Sequence, residues 1–240
     1  MINILHLYYD LLNLYGENAN TRCLTYNLER NNIKVNVDLK SLNDKVDFTK
    51  YDIVYISSGD EEAIDLARTD ILKYKKDLEK YIENDKFLII TGNAMPLFGK
   101  YIETDTDKKD ALGIFDYYAS YTGKNKFKNA SVDRVVGEVK ATTKLIKEEI
   151  IGFQNRGDLI HNVKTPLFET SEKYSNDLTD TKEGFTYKNV YATHIIGPIF
   201  IRNPYFTDYI LDKLCKSKKL KYKAVEDTAK MAYKKYLNLN

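Results

Sequence analysis

K-F-L-I-I-T-G-N-A-M-P-L-F-G-K-Y, at residues 86–101, predicts a buried strand, a sharp turn and a short helix in succession. Phe87 to Ile90 is an unbroken apolar run, which is typical of a strand covered on both faces of a parallel sheet. The run stops at Thr91-Gly92-Asn93, and a second apolar block continues to Gly99. This is the pattern of a nucleophile elbow, in which a strained turn lifts one side chain into a pocket floored by backbone N–H groups. The lifted position in this chain carries no nucleophile.

The composition predicts a globular protein without a general affinity for nucleic acid or membranes. Of its 240 residues 43 % are apolar, which is ample for a buried core. The net charge is +2 with 30 % charged residues of both signs, so no nucleic-acid partner is expected. The two cysteines form no disulfide framework, and neither a signal peptide nor a membrane-spanning run is recognisable. We therefore expect a cytoplasmic protein.

The first half of the chain alternates strands with helices. Such alternation predicts an α/β fold with a mainly parallel sheet and right-handed crossovers. The predicted strands before the elbow are Ile2 to Tyr8, Ile33 to Leu39 and Asp52 to Ser57, and the predicted helices are Asn18 to Asn31, with Asn18 as a possible N-cap, and Glu61 to Asn84. Ligands of parallel sheets bind at the carboxyl ends of the strands, where Asp60 and Gly92 would both lie.

The second half predicts antiparallel strands layered against the same sheet. The short β-like segments are Leu112 to Tyr118, Ser131 to Lys140, Glu149 to Phe153 and Lys188 to Thr193. Ser171 to Gly184 is polar and aperiodic, which favours an exposed loop. Helices are predicted at Phe206 to Lys216 and at Ala224 to Leu237. Because no linker composition or repeat interrupts the chain, we expect one domain over residues 1–240.

Several motifs together resemble a known family. They are L-N-L-Y-G-E-N-A-N at 12–20, F-G-K-Y-I at 98–102, A-L-G-I-F-D-Y-Y at 111–118, I-I-G-F-Q-N-R-G at 150–157, E-G-F-T-Y-K-N at 183–189 and I-I-G-P-I at 195–199. In this order and spacing they resemble the cobyric acid synthase (CobB/CobQ)-like class I glutamine amidotransferases, and among them the small amidotransferase subunits of lipid II isoglutaminyl synthases. The resemblance implies a three-layer, flavodoxin-like α/β fold.

The resemblance also implies where the family's catalytic pair would stand. Members of the family carry a cysteine at the elbow, which attacks the side-chain amide of glutamine, and the position that corresponds to it is Gly92. The family's histidine, the general base, precedes a Gly-Pro pair, and the residue in that place is Ile196. Nucleophile and base must act together. This chain therefore resembles the family but has neither catalytic residue.

Other residues of the implied pocket are partly retained. The glycine-rich turn that helps to build the family's oxyanion hole is reduced to Ser57-Ser58-Gly59-Asp60. Arg134 corresponds to an arginine that holds the glutamine carboxylate in the family, although it could equally be a solvated strand residue. Asn155 matches the family pattern, Arg156 stands where a histidine is usual, and Glu17 stands for the family's opening aspartate. The candidate pocket comprises Gly59, Thr91, Gly92, Asn93, Arg134, Asn155, His194 and Ile196.

Substitute catalytic groups are few. Thr91 carries a hydroxyl next to Gly92, and His194 lies two residues before Ile196, but a structural role for both is the favoured interpretation. Cys23 and Cys215 are interpreted as ordinary buried or half-buried thiols. His6 and His161 have no companions at the spacing of metal ligands, so no metal and no cofactor are predicted.

Three functions remain open on the sequence alone. The first is a degenerate amidotransferase that acts as a structural or regulatory partner of a Mur ligase-like enzyme in bacterial cell-wall amidation. The second is an active glutaminase with an unrecognised nucleophile. The third is a sensor that binds glutamine or a related amino acid in the vacated pocket. The paired replacement of cysteine and histidine favours the first.

Overall fold

The computed structural model describes residues 1–104, 106–121 and 134–239. Its strands are β1 (Ile2–Leu7), β2 (Val35–Lys40), β3 (Ile53–Ile56), β4 (Phe87–Thr91), β5 (Tyr101–Glu103), β6 (Lys108–Asp110), β7 (Tyr118–Tyr121), β8 (Val135–Thr142), β9 (Ile150–Arg156), β10 (Asp158–His161), β11 (Phe168–Thr170), β12 (Lys182–Glu183), β13 (Phe185–Tyr187) and β14 (Val190–Thr193). Its α-helices are α1 (Asn18–Arg30), α2 (Glu61–Ile71), α3 (Lys75–Glu83), α4 (Ile199–Arg202), α5 (Pro204–Ser217) and α6 (Thr228–Leu239).

A six-stranded sheet forms the centre of the fold. Its strand order is β13-β14-β4-β3-β1-β2, and every neighbouring pair is parallel except β13 with β14. Strand β4 lies inside the sheet and is buried along its whole length, as its apolar run predicts. The predicted α/β fold with a mainly parallel sheet and antiparallel additions is confirmed.

Alternate residues of the central strands enter two separate hydrophobic cores. Leu88 and Ile90 of β4 pack on one face with residues of α2 and α3, whereas Phe87 and Ile89 pack on the other face with residues of α1 and α5. This alternation follows from the two-residue period of a strand. The result is three layers, with helices on both sides of the sheet. Within the described ranges, none of the helices combines the length and apolar character that crossing a bilayer requires.

The second half builds two further sheets, and here several predictions were wrong. One sheet has the order β10-β7-β5-β6 and the other the order β12-β11-β8-β9. The segment predicted at Lys188 to Thr193 instead joins the central sheet as β14, parallel to β4. The segment predicted at Leu112 to Tyr118 becomes a strand only from Tyr118, because the backbone amides of Leu112 and Phe115 bond to carbonyls of Leu97 and Phe98. Residues 131–133 of another predicted segment lie outside the described residues.

Two predictions about helices also need correction. The helix predicted from Glu61 to Asn84 is divided into α2 and α3 by a 3-10 turn at Leu72–Tyr74, where the backbone of Tyr74 leaves α-geometry. The N-cap of α1 is Glu17, since Asn18 is already helical.

The segment from Ser171 to Gly184 is not a simple exposed loop, because Ser175, Asn176 and Glu183 are buried. The guanidinium of Arg156 donates hydrogen bonds to the backbone carbonyls of Ser175 and Asn176, which draws the segment inward.

Candidate functional site

The turn Thr91-Gly92-Asn93, which we call the elbow, has the predicted geometry. Thr91 ends β4 in extended conformation, and a 3-10 helix runs from Gly92 to Phe98. Gly92 has φ +62°, a left-handed conformation that favours glycine because a Cβ would approach the following carbonyl. Pro96 lacks the N–H that a regular α-helix would bond to the carbonyl of Gly92. The elbow is therefore a sharp turn from a strand into a short helix, as the sequence predicts.

The space above Gly92 is filled by neighbouring side chains. A Cβ placed on Gly92 would lie 2.5 Å from the Cβ and 2.8 Å from the Oγ of Ser58. It would also lie 3.4 Å from Cγ2 of Ile196. A carbon–carbon separation of 2.5 Å is well inside van der Waals contact, so no side chain fits at Gly92 unless Ser58 moves.

Ile196 reaches the elbow through a backbone bridge to β9. Its N–H donates to the carbonyl of Phe153 at 2.9 Å, and the N–H of Phe153 donates back to the carbonyl of Ile196 at 3.0 Å. The side chain of Ile196 is buried beside Gly92 and carries no group that can accept a proton. The structure thus brings together the two positions at which the family resemblance places nucleophile and base.

The elbow is fastened to the loop that follows β3. The side-chain oxygen of Asn93 accepts from the N–H of Gly59 at 3.1 Å, and its amide nitrogen donates to the carbonyl of Gly59 at 2.7 Å. Asp60 then caps α2 by accepting from the N–H of Ala63 at 2.8 Å. Gly59, Gly92, Asn93 and Ile196 therefore form one contiguous group.

Arg134 and Asn155 form a second group at the start of α2. Nε of Arg134 donates to the side-chain oxygen of Asn155 at 2.8 Å, and its Nη1 donates to Oε1 of Glu61 at 2.6 Å. The Arg134 side chain is 39 % exposed. A ligand carboxylate that approached Nη1 of Arg134 would compete with Glu61 for it.

Thr91 belongs to a buried hydrogen-bond network around the carboxylate of Glu17. Oε2 of Glu17 accepts from the hydroxyl of Thr91 at 2.6 Å and from the hydroxyl of Tyr55 at 2.9 Å. The same oxygen accepts from the side-chain amide of Asn20 at 3.0 Å, and Oε1 accepts from the N–H of Gly197 at 3.2 Å. Burial raises the pKa of Glu17, and these donors partly offset that effect.

His194 belongs to a different buried cluster of charged groups. Its Nε2 lies 2.8 Å from Oδ2 of Asp158, and its backbone N–H donates to Oε1 of Glu183 at 2.7 Å. The side chain of Arg156 is also fully buried and bonds to the backbone carbonyl of Asp158. Burial and the nearby Arg156 lower the pKa of His194, but the carboxylates of Asp158 and Glu183 outweigh them, so that the pKa is raised.

The comparison with known families accords with this geometry. A family model described as a CobB/CobQ-like glutamine amidotransferase domain matches residues 3–204. The chain belongs to this amidotransferase family. The resemblance drawn from its motifs is therefore confirmed.

Two relatives extend over most of the chain. One is the "Lipid II isoglutaminyl synthase (glutamine-hydrolyzing) subunit GatD" of Staphylococcus aureus (strain N315), 30 % identical over 239 residues that cover 98 % of this chain and 94 % of that protein. The other is the protein of the same name from Streptococcus pneumoniae (strain ATCC BAA-255 / R6), 29 % identical over 205 residues that cover 84 % of this chain and 76 % of that protein.

A solved structure supports the fold of this amidotransferase-family chain. The crystal structure of a glutamine amidotransferase matches with a TM-score of 0.51 and 13 % sequence identity, covering 90 % of this chain and 99 % of the other. At that identity the likeness concerns the fold alone.

Sequence reasoning missed how several residues of the amidotransferase fold are used. Tyr55 lies in an apolar run that predicts only a buried strand, yet its hydroxyl bonds to Glu17 and Asn20, as a buried tyrosine hydroxyl usually finds a partner. Asp158 lies outside the quoted motifs, and Glu183 opens the motif at 183–189 without any sign of its buried partners. Their partners come from distant segments, so no local pattern could have predicted the cluster.

We predict that Gly92→Ala lowers the free energy of unfolding by about 3 kcal/mol, from the positive φ and the overlap with Ser58. Chemical denaturation would measure it. Gly16→Ala is the matched control, because Gly16 has φ +73° but nothing within 4 Å of an added Cβ. It should cost only about 1 kcal/mol. Adding Ser58→Gly to Gly92→Ala should restore most of the stability that Gly92→Ala loses beyond Gly16→Ala. Equal losses of stability in Gly92→Ala and Gly16→Ala would contradict the packing argument.

Removal of the Glu17 carboxylate should be strongly destabilising. We expect Glu17→Ala to lower the free energy of unfolding by about 3–5 kcal/mol, because it leaves buried donors unsatisfied, whereas Glu17→Gln should cost roughly half as much. Ala substitution of the exposed Glu62 is the control and should change stability by less than about 0.5 kcal/mol. Urea denaturation of the four proteins tests this, and similar costs for positions 17 and 62 would refute it.

The raised pKa of His194 predicts a pH-dependent contribution to stability. A histidine whose pKa is raised in the folded state stabilises fully below the unfolded value of about 6.5, and this contribution is lost as pH rises through the folded-state value. The stability difference between wild type and His194→Gln should therefore be largest near pH 5.5 and shrink as the pH rises above about 6.5 through the folded-state value. Denaturation across this range measures it, and a difference that grows with pH would contradict the assignment.

Proposed function

We propose that this chain is a catalytically degenerate glutamine amidotransferase-like subunit, folded as one domain over residues 1–240. In this proposal it acts in the cytoplasm as a structural or regulatory partner of a Mur ligase-like enzyme in cell-wall amidation. The link to the cell wall comes from its relatives, which are named as subunits of lipid II isoglutaminyl synthase.

The packing at Gly92 is the observation that carries the proposal. A thioester with glutamine needs a thiol that projects from the elbow, and this chain has no side chain there. Ser58 occupies the space into which such a side chain would project, and Ile196 lies beside that space at contact distance. A second loss accompanies the first, since Ile196 cannot serve as a base. An elbow without a nucleophile and a base supports a subunit that binds a partner protein and does not hydrolyse glutamine.

An unrecognised nucleophile finds little support. The Thr91 hydroxyl donates to Glu17, whereas the ring of His194 contacts Asp158, so their hydrogen bonds lead to separate clusters. Burial raises the pKa of both cysteine thiols, Cys23 and Cys215, to about 11, which leaves almost no reactive thiolate at neutral pH. The amino-acid sensor is also less well supported, because Glu61 already engages Arg134.

A degenerate subunit could still serve an amide-forming reaction. In the two-subunit arrangement that the family resemblance implies, a ligase activates a carboxylate with ATP while the amidotransferase supplies ammonia. A subunit that cannot release ammonia could hold the ligase in its active geometry while the ligase uses free ammonia from solution. It could also inhibit the ligase. We expect its docking surface to include the loops at the carboxyl ends of the central strands.

The proposal predicts no release of ammonia from glutamine and a stable complex with the ligase. The purified chain is assayed alone and with a Mur ligase-like protein from the same organism, against a boiled control, and the mixture is analysed by size-exclusion chromatography. Turnover that Thr91→Val or Cys23→Ser abolishes would establish a hidden nucleophile and overturn degeneracy. A chain that stays monomeric beside the ligase would overturn the partner role.

Substitution of two tyrosines that are about equally exposed would test where the docking surface lies. Tyr15, in the loop after β1, is 40 % exposed, and Tyr187, at the opposite edge of the central sheet, is 41 % exposed. Tyr15→Asp should weaken the complex at least about tenfold, whereas Tyr187→Asp should leave it unchanged. The reverse result would place the interface away from the strand-end loops.

A further inference from the structure

A cavity separate from the elbow lies between α1 and the edge of the central sheet. Its volume is about 380 Å³, within the range of sites for small molecules. His6 of β1 and Val37 and Leu39 of β2 contribute to its wall, and residues of α1 line the opposite side.

The face of α1 that lines this cavity is polar. Asn18, Arg22, Thr25 and Glu29 recur at helical spacing and all line it. A helix that packs on a sheet normally presents apolar residues, as α1 does with Leu24 and Leu28 in the core beside this face. A polar face opposite Val37 and Leu39 therefore calls for a reason other than packing.

Three residues that line the cavity hold buried polar atoms for which the described residues supply no hydrogen-bond partner. They are Nε2 of His6, Oδ1 of Asn18 and Oγ1 of Thr25. His6 is only 1 % exposed, and burial lowers its pKa to about 4, so its ring is neutral near pH 7 and can donate or accept. Each unsatisfied group is costly to bury, and a bound molecule with donors and acceptors would remove that cost.

Charges of both signs stand at the mouth of the cavity. Arg22 and Glu29 are exposed, and within the described part of the chain neither side chain has an ion pair or hydrogen bond. They are two helical turns apart, a rise of about 10 Å along α1. A ligand that engaged both would carry a negative and a positive group separated by several ångströms.

We propose that this cavity binds a short zwitterionic peptide of about two residues. Its carboxylate pairs with Arg22 and its ammonium group with Glu29, while its amide bonds to the polar atoms of Asn18 and Thr25. Val37 and Leu39 receive an apolar side chain. An extended dipeptide spans roughly 7 Å, which the long side chains of Arg22 and Glu29 can bracket, whereas the two charges of a free amino acid are too close together.

The inference does not rest on the proposed function. The cavity is lined by none of the elbow residues, although the ring of His6 lies 4.9 Å from the ring of Tyr55, whose hydroxyl bonds to Glu17. A peptide site here could exist in an active or an inactive amidotransferase.

Titration of the full chain with glycyl-L-leucine tests the proposal. The chain has three histidines, so the side-chain nitrogen signals of 15N-labelled protein report His6 separately from His161 and His194. We expect the His6 signals to shift saturably below about 10 mM peptide. N-acetyl-glycyl-L-leucinamide, which lacks both charges, should bind at least about tenfold more weakly. No shift of His6, or equal affinity for the uncharged analogue, would overturn the proposal.

Variants of α1 provide the matched comparison. Arg22→Gln removes a charge at the mouth, and Thr25→Val removes a hydroxyl that has no partner, so both should fold normally while weakening glycyl-L-leucine binding about tenfold. Arg30→Gln, on the same helix, removes a charge that pairs with Asp227 and lies outside the cavity. It should leave the affinity unchanged, and equal weakening by Arg22→Gln and Arg30→Gln would overturn the site.

Discussion

The buried carboxylate of Glu17 is the constraint on which the arrangement of the elbow depends. Its four donors belong to the end of β4, to β3, to α1 and to the turn after Ile196. Because a buried carboxylate without donors is very unfavourable, these segments can pack only in the positions that bring all four to one point. That requirement sets Gly92 beside Ile196, although the two residues are far apart in the chain.

A second group of buried charges fixes how the two smaller sheets pack against the central sheet. Arg156 ends β9, Asp158 begins β10, Glu183 ends β12 and His194 follows β14, so that one cluster joins all three sheets. Two acids face two bases, which balances the charge when His194 is protonated. The raised pKa of His194 is the electrostatic consequence of this arrangement. His194 therefore has a structural role, which supports the view that it does not act as a base for Thr91.

The elbow has the strand–turn–helix backbone that its sequence predicts, and Gly92 and Ile196 stand where the family resemblance places cysteine and histidine. The left-handed Gly92 and the paired hydrogen bonds between Asn93 and Gly59 preserve the turn and its attachment. The side chains nearest to Gly92 are those of Ser58 and Ile196, and both come from loops beside the elbow. Ser58 lies too close for a side chain at position 92 and would have to move or be replaced, whereas Ile196 lies at contact distance.

The sequence by itself determined the central layers, because a strand buried on both faces leaves an unmistakable apolar run and the turn at Gly92 needs glycine. It also placed the chain in its family through motifs close to the site. Only the tertiary structure decided that β14 joins the central sheet, that Ser171 to Gly184 turns inward, and that Thr91 and His194 belong to separate networks. The physical reason is the same in each case. A buried polar group must find its partner wherever the fold supplies one, and partners such as Glu17 and Gly197, or Asp158 and His194, are remote in sequence, where local periodicity carries no information.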